Sequence, residues 1–393
     1  MNALQSLLAE SDLEKARSKG LAYTPREIAH QPEAWFKTAE RVLEEAPLAG
    51  FLRQALEPAG PVILAGAGTS YYVGTSVRNF LTASWKRTVL AVPSTEIVLA
   101  PDLCLPRDAT LMISYARSGQ SPEGNAALEL ARQVRPETAH LAVTCNHEGL
   151  LYRLAGGWPG GFPLLLPEMT NDRGLAMTSS YSSMVVATYG LAFLNEPETY
   201  LSLVEKLAVT ARRILDAEAD AARQIAEMPF ARALYVGNRD LFGVAQEAHL
   251  KLQEMSAGRV IGKAETTLGL RHGPMASIDD QTLVVVFLSS DPYVRRYELD
   301  LLRELKNQGL GMLRVAIDEQ ADLEVAPLVD HLVELRLGGT PMGDLSRAPA
   351  AVIFPQLLAL FRSLHEGLLP DAPSPKGVIN RVVQGVRIYP YSA

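Results

Sequence analysis

The stretch Leu111-Met-Ile-Ser-Tyr-Ala-Arg-Ser-Gly-Gln-Ser-Pro-Glu123 decides the fold. A short apolar run, Leu111 to Ile113, passes straight into hydroxyls, a glycine and an arginine, and a helix-type pattern resumes at Asn125. The segment therefore reads as a strand feeding a tight polar loop that opens a helix. Such loops hold phosphate, because backbone N–H groups at the helix N-terminus point at the anion. Ser118 and Ser121 can add hydroxyl donors, and Arg117 can supply charge. The alternative is that the two serines act only as turn and N-cap residues of the next helix.

Working outward, a shift of about 170 residues lays the chain over itself, the mark of an internal repeat. Val62-Ile-Leu-Ala-Gly66 matches Ala233-Leu-Tyr-Val-Gly237, and Leu111-Met-Ile matches Leu283-Val-Val. His140-Leu-Ala-Val-Thr-Cys-Asn146 matches Met312-Leu-Arg-Val-Ala-Ile-Asp318, and Leu164-Leu-Leu faces Val333-Glu-Leu. The helical run from Ala176 to Leu194 answers that from Ser346 to Leu364. Short apolar strands alternating with helices predict an α/β fold, each copy a mostly parallel sheet flanked by helices on both faces. Ligands of such sheets bind at the carboxyl ends of the strands, where the Gly and Ser loops fall.

An N-terminal helical segment precedes the first copy, with Thr24-Pro-Arg-Glu27 reading as a capping box. A helix-compatible stretch from Glu198 to Glu227 bridges the copies. The expected organisation is a helical segment over 1–54, a first domain with the phosphate site over 55–200, and a second domain with the bridging helix and C-terminal tail over 201–393. The copies differ chemically. The first carries Gly66-Ala-Gly-Thr-Ser70 and the Ser118/Ser121 loop; the second has Gly237-Asn-Arg-Asp240 and Ser289-Ser-Asp-Pro292, where a carboxylate is hostile to phosphate. One phosphate site per chain, in the first copy, is expected.

The 393 residues exceed one ordinary domain, and 48% apolar with 21% charged residues is a globular composition. A net charge of −7 argues against nucleic acid as the main ligand, while leaving room for a small phosphate in a locally positive pocket. Two cysteines, Cys104 and Cys145, without C-x-x-C spacing fit a reducing compartment. Glu10, Asp12 and Glu14 interrupt the N-terminus before a signal-peptide core can form, and no apolar run reaches the roughly 18 residues of a membrane span. A soluble cytoplasmic protein is expected, with no nucleic-acid or membrane partner.

Acid–base chemistry has one candidate region. Glu247, Lys251 and Glu254 share a face of the amphipathic helix Gly243–Met255, and Arg271-His-Gly-Pro274 follows in an irregular turn. Together they offer a carboxylate able to shuttle a proton, a lysine to stabilise negative charge and a histidine, His272, that titrates near neutrality. The competing readings are a solvated salt-bridge ladder and an ordinary exposed loop histidine. The seven histidines form no metal-ligand spacing, Tyr71 stands where a dinucleotide fingerprint needs its third glycine, and no Ser-His-Asp set can be assigned.

Taken in order, Gly66-Ala-Gly-Thr-Ser70, Ser118-Gly-Gln-Ser121, and Lys251-Leu-Gln-Glu254 with His272-Gly-Pro274 resemble the sugar isomerase (SIS) family. More closely, the chain looks like its tagatose-6-phosphate ketose/aldose isomerase group, also described as galactosamine-6-phosphate deaminases. Ala116-Arg-Ser-Gly-Gln-Ser-Pro-Glu123, Asp172-Arg-Gly-Leu-Ala-Met-Thr-Ser-Ser180 and Asn380-Arg-Val-Val-Gln-Gly385 carry the closer likeness, which runs from about Thr24 to the C-terminus. The isomerase half of glucosamine-6-phosphate synthase is a second relative. The resemblance implies two tandem SIS domains and a homodimer or higher homo-oligomer with active sites near a subunit interface. It implies phosphate-binding positions at Ser70, Ser118 and Ser121, with Thr69, Arg117 and Gln120 in the same loops.

By the same likeness Glu254 moves the proton between carbons 1 and 2, Lys251 sits near the developing charge, and His272 assists ring opening. The implied reaction is deaminating isomerisation of an aminohexose 6-phosphate, galactosamine 6-phosphate in particular, to tagatose 6-phosphate and ammonia, without metal or organic cofactor. A non-deaminating ketose/aldose isomerase and a sugar-phosphate-binding regulator are the alternatives. The chain departs from the synthase pattern. Ala116 and Arg117 stand where the synthase has Ser and Gln, and two extra residues separate Glu254 from His272. The synthase's C-terminal lysine has no secure counterpart, and its amidotransferase domain is absent, so glutamine-dependent synthesis is not expected.

Overall fold

The computed structural model describes residues 1–10, 12–320 and 322–392. They form two compact units, each built on its own sheet. The first-sheet unit comprises Glu33–Asp172, Ser179–Val204 and Ile379–Ala393. Its strands are β1 (Val62–Gly66), β2 (Val89–Pro93), β3 (Leu111–Ala116), β4 (Ala139–Thr144) and β5 (Gly161–Leu165). They lie in the order β2-β1-β3-β4-β5, every pair parallel.

Both faces are covered, which is why β1 reads as an unbroken apolar run, β3 opens on one, and both strands are buried almost throughout. Alternate residues serve opposite faces. Ile63, Ala65 and Met112 meet Ala127 and Ala131 of α2 (Pro122–Val134) and Ile97 of a short helix, Ser94–Leu99. On Leu64's side lies α1 (Thr69–Trp85), whose Gly74 leaves room only for close approach. The buried helix α3 (Ser179–Ala192) packs on α1.

The second-sheet unit comprises Met1–Pro32, Arg173–Thr178 and Glu205–Val378. Its strands are β6 (Arg232–Val236), β7 (Ile261–Glu265), β8 (Thr282–Phe287), β9 (Leu313–Asp318) and β10 (His331–Glu334), all parallel. The order β10-β9-β8-β6-β7, taken from its far end, repeats that of the first sheet. The duplication expected from the sequence is thus present as topology. Leu111 pairs with Ala139, whereas its counterpart Leu283 pairs with Leu313, so the fourth strand of the second copy sits two residues later than the sequence match placed it. The difference lies in the connection: α6 (Pro292–Asn307) has 16 residues against 13 in α2, starts two residues earlier in the repeat, and is followed by a loop one residue longer.

Two glycines show how the strand-to-helix turns are made. A Cβ on Gly66 would lie 2.4 Å from the Ser70 carbonyl carbon, and one on Gly237 would lie 2.3 Å from the Leu241 carbonyl oxygen. The helices that follow press their first turns onto these positions. Two residues on, Gly68 has φ 55° and ψ −128°, and Arg239 has φ 55° and ψ −129°. The second copy keeps the turn even though a side chain now occupies a left-handed backbone position, a strain of about 1–3 kcal/mol.

The N-terminal helical segment consists of Ala3–Leu8, Leu13–Ser18, Thr24–Ala29, Gln31–Glu44 and Ala46–Leu56. The capping box expected at Thr24 is not formed. Thr24 is already helical, and its hydroxyl makes no capping bond. Asp371 instead accepts the N–H groups of Ala22 at 2.8 Å, Tyr23 at 3.1 Å and Thr24 at 2.7 Å. Glu27, the residue expected to complete the box, accepts N–H bonds from Arg173 and Gly174. The bridging stretch is two helices, Pro197–Ala217 and Ala219–Ala226. Among the described residues no helix is long and apolar enough to cross a membrane.

Candidate active site

In the first-sheet unit the expected anion loops leave the carboxyl ends of β1 and β3, neighbouring strands from which the chain departs in opposite directions across the sheet. Thr69 and Ser70 form the buried first turn of α1. Ser121 caps α2, its Oγ accepting the Gly124 N–H at 3.3 Å and donating to Glu123 at 2.8 Å, with Pro122 at the first helical position. The capping alternative therefore holds for Ser121, and a cap at a helix N-terminus also suits anion binding. Gly119 has φ 62°, which lets the loop fold back so that its carbonyl accepts the Leu151 N–H. Asn146 donates to the Ser118 carbonyl at 2.8 Å, and Gln120 donates to the Glu148 carbonyl at 3.1 Å. Ser118 Oγ accepts the Gln120 N–H at 3.2 Å.

Arg117 is buried, and one of its guanidinium nitrogens donates to the Arg381 carbonyl at 2.8 Å. Arg381 in turn donates to the Asp172 carbonyl and to Asn171 Oδ1. The C-terminal segment is thereby tied to the loop that follows β3. Further along it, Tyr391 bonds to Asp102 and accepts from Gln133. Asp172 is fully buried: one carboxylate oxygen accepts the N–H and hydroxyl of Ser179, the other those of Ser180.

In the second-sheet unit, Glu247, Lys251 and Glu254 lie on α4 (Asp240–Met255), which packs against β7 and against α7 (Ile353–His365). The packing turns their shared face inward. Lys251 Nζ lies 2.5 Å from Glu254 Oε2 and 3.5 Å from Glu247 Oε1. The side chains of Lys251 and Glu247 are 1% and 0% exposed, while Glu254 keeps 22%. A solvated ladder is excluded: this is a buried lysine between two carboxylates, with only Glu254 reaching solvent. Burying such groups is unfavourable unless they are well paired, and they cluster where chemistry needs them. On the same helix, burial and then the Lys251 charge push His249 down to about 4, so it is neutral at physiological pH.

His272 sits exposed on the turn after a short helix, α5 (Thr267–Leu270), followed by Gly273 at φ 116°. Its ring makes no hydrogen bond to a described residue; its backbone N–H donates to Gly269. The turn itself is anchored. Asn238 donates to Thr267 Oγ1 at 2.7 Å and accepts the Thr267 N–H at 3.2 Å, and it also donates to buried Glu298 at 2.7 Å. Burial, reinforced by the Asp344 charge, pushes the Glu298 carboxyl up to about 7 despite bonds from Ser289 and Asn238. Asn238, Glu298, Asp344 and Arg381 were not singled out by sequence reasoning. The repeat offered one usable signal, since Asp172 and Asp344 fall at matching positions in the two copies. Among the described residues no cluster of His, Cys, Asp or Glu is placed to hold a metal.

Residues 230–360, the body of the second-sheet unit, match the family described as SIS domain. The chain is also 38% identical over 383 residues to D-galactosamine-6-phosphate deaminase AgaS of Escherichia coli, covering 94% of this chain and 96% of the relative. The chain belongs to the SIS family. A second AgaS deaminase, from a Shewanella species, is 36% identical, covering 96% of this chain and 94% of its own length. The solved tagatose-6-phosphate ketose/aldose isomerase of Escherichia coli superposes on this SIS protein with a TM-score of 0.85 at 36% identity, covering 94% and 97% of the two chains. Two parallel five-strand sheets with one strand order agree with tandem SIS domains.

Proposed function

We propose that this SIS protein is a deaminating aldose–ketose isomerase that converts galactosamine 6-phosphate to tagatose 6-phosphate and ammonia. The observation that carries the reading is the buried Glu247–Lys251–Glu254 set, with Glu254 alone open to solvent, in a chain akin to named galactosamine-6-phosphate deaminases. The phosphate binds at Thr69, Ser70 and the loop Arg117 to Ser121, where loop and helix N–H groups and hydroxyls donate. Remote binding of this kind holds the reacting carbons in place.

His272 assists opening of the sugar ring to the free aldehyde. Glu254 takes the proton from carbon 2, leaving an enolamine, and returns it at carbon 1. Lys251 stabilises the charge that develops on the carbon-1 oxygen. The resulting ketimine takes up water at carbon 2 and expels ammonia, leaving the ketose phosphate. A placed carboxylate contributes about 10²–10⁴ in rate to such a transfer. This reading places the enzyme in the cytoplasm as a homodimer or larger homo-oligomer, and free thiols at Cys104 and Cys145 suit a reducing compartment.

The test is incubation with a panel of hexosamine 6-phosphates and aldose 6-phosphates, reading ammonia and ketose together. Ammonia from galactosamine 6-phosphate supports the proposal; ketose formed only from a plain aldose phosphate replaces it with simple isomerisation. Glu254→Gln should bind substrate yet incorporate no solvent deuterium at carbon 1, and full exchange in that variant removes Glu254 from its role.

A further inference from the structure

The two sheets carry copies of one anion loop, but the second loop already holds an anion of the chain's own. The turns before α1 and α4 share backbone angles at Gly68 and Arg239. The loops after β3 and β8 each end in a side-chain cap, Ser121 or Asp291, followed by proline at the first helical position. In the second copy Ser290 donates its N–H at 2.9 Å and its hydroxyl at 2.7 Å to Asp344, and Ser289 Oγ and Arg347 donate to the same carboxylate. Asp344 is 6% exposed and Arg347 2%. Two hydroxyls, a loop N–H and an arginine are the donors that a tetrahedral oxyanion requires.

The partner aspartate of the first copy behaves differently, and the sequence says why. Asp172 is taken up by the hydroxyls and N–H groups of Ser179 and Ser180, seven and eight residues on. The residues seven and eight after Asp344 are Ala351 and Val352, which have no hydroxyl. Lacking that anchor, Asp344 turns to the loop serines instead. We propose that Asp344 is a built-in stand-in for phosphate in the second loop, and that removing its carboxylate lets this loop bind an inorganic oxyanion. The proposal rests on the reading of the first loop as the substrate's phosphate site; in the second loop Asp291, the carboxylate set against phosphate by the sequence, is held on the Tyr293 N–H and by Arg239, so Asp344 is the anion that occupies the loop donors. Burial acting against the Arg347 charge and the serine bonds leaves Asp344 below the ordinary carboxylate range, so it is an anion at neutral pH. Glu298, which accepts the Ser289 N–H at 2.7 Å, titrates near 7 and adds less negative charge.

The experiment uses the full chain carrying Ser118→Ala and Ser121→Ala, so that the first loop's hydroxyls are gone, with and without Asp344→Ala. Melting is followed in phosphate, and in chloride of equal ionic strength. With Asp344 present, phosphate should do no more than chloride. With Asp344→Ala, the midpoint should rise by about 3–5 °C for each tenfold increase in phosphate above its dissociation constant. Adding Arg347→Met should abolish that rise. If the Asp344→Ala protein does not fold in chloride, refolding from urea in phosphate supplies the readout, and recovery there supports the proposal. Equal behaviour in both salts, no recovery in either, or a response that survives Arg347→Met overturns it. Ammonia release by the wild-type enzyme is scored separately, so failure of the deaminase reading would not be mistaken for failure of this one.

Discussion

Replacing Lys251 by methionine separates what the buried charges do for folding from what they do for chemistry. Methionine keeps the length and packing of the side chain, so no cavity opens and the effect is electrostatic. In the parent, Lys251 lies between Glu254 at 2.5 Å and Glu247 at 3.5 Å, and Glu247 has no solvent to turn to. Removing one partner of a buried pair leaves the other charge uncompensated and costs about 3–5 kcal/mol. Lys251→Met should therefore lose about that much stability in urea unfolding at pH 7.

Adding Glu247→Gln removes the carboxylate that faced Lys251, so the double variant should regain most of the loss, a coupling that the mutant cycle reads directly. Turnover should behave otherwise. On the proposed mechanism both variants lack the ammonium beside the developing oxyanion, so any release of ammonia from galactosamine 6-phosphate should be about 10²–10³ times slower in both. Unfolding of Lys251→Met within about 1 kcal/mol of the parent would refute a strong buried pairing. A double variant no more stable than the single, or one that recovers turnover along with stability, would refute it equally.

Glu298 gives a pH signature. Its folded pKa of about 7 lies above the 4.5 of an ordinary glutamate, so its contribution is fully present below pH 4.5 and is lost as pH rises through 7. The loss is about 3 kcal/mol across that window; Glu298→Gln should lack this slope, and parallel melting curves for the two proteins between pH 4.5 and 8 would contradict the assignment. Asp371→Ala strips the N–H groups of Ala22, Tyr23 and Thr24 of their acceptor and should destabilise the N-terminal helices by about 1–3 kcal/mol, seen as faster amide exchange at those residues. Thr24→Ala should cost less, and the reverse order would restore the local capping box.

Features that depend on near neighbours and on order along the chain are legible before folding. Apolar runs at Val62–Gly66, Leu111–Ile113 and Leu283–Phe287 announce strands buried on both faces, and Pro122 after Ser121 announces a helix start. The repeat announces two like sheets, and the strand orders agree. Helical periodicity placed Glu247, Lys251 and Glu254 on one face but left open whether water or protein covered it, because periodicity is a property of one helix and burial belongs to its neighbours. Packing against β7 and α7 settled that question.

The same limit explains the other misses. Asp371 caps a helix nearly the whole chain length away, and Arg381 meets Arg117 from the far end of the sequence. No local preference links such residues, since only folding brings them within hydrogen-bond distance. Asp172 and Asp344 make the point most plainly: one residue type at one place in the repeat takes different partners, because the hydroxyls within reach of each differ.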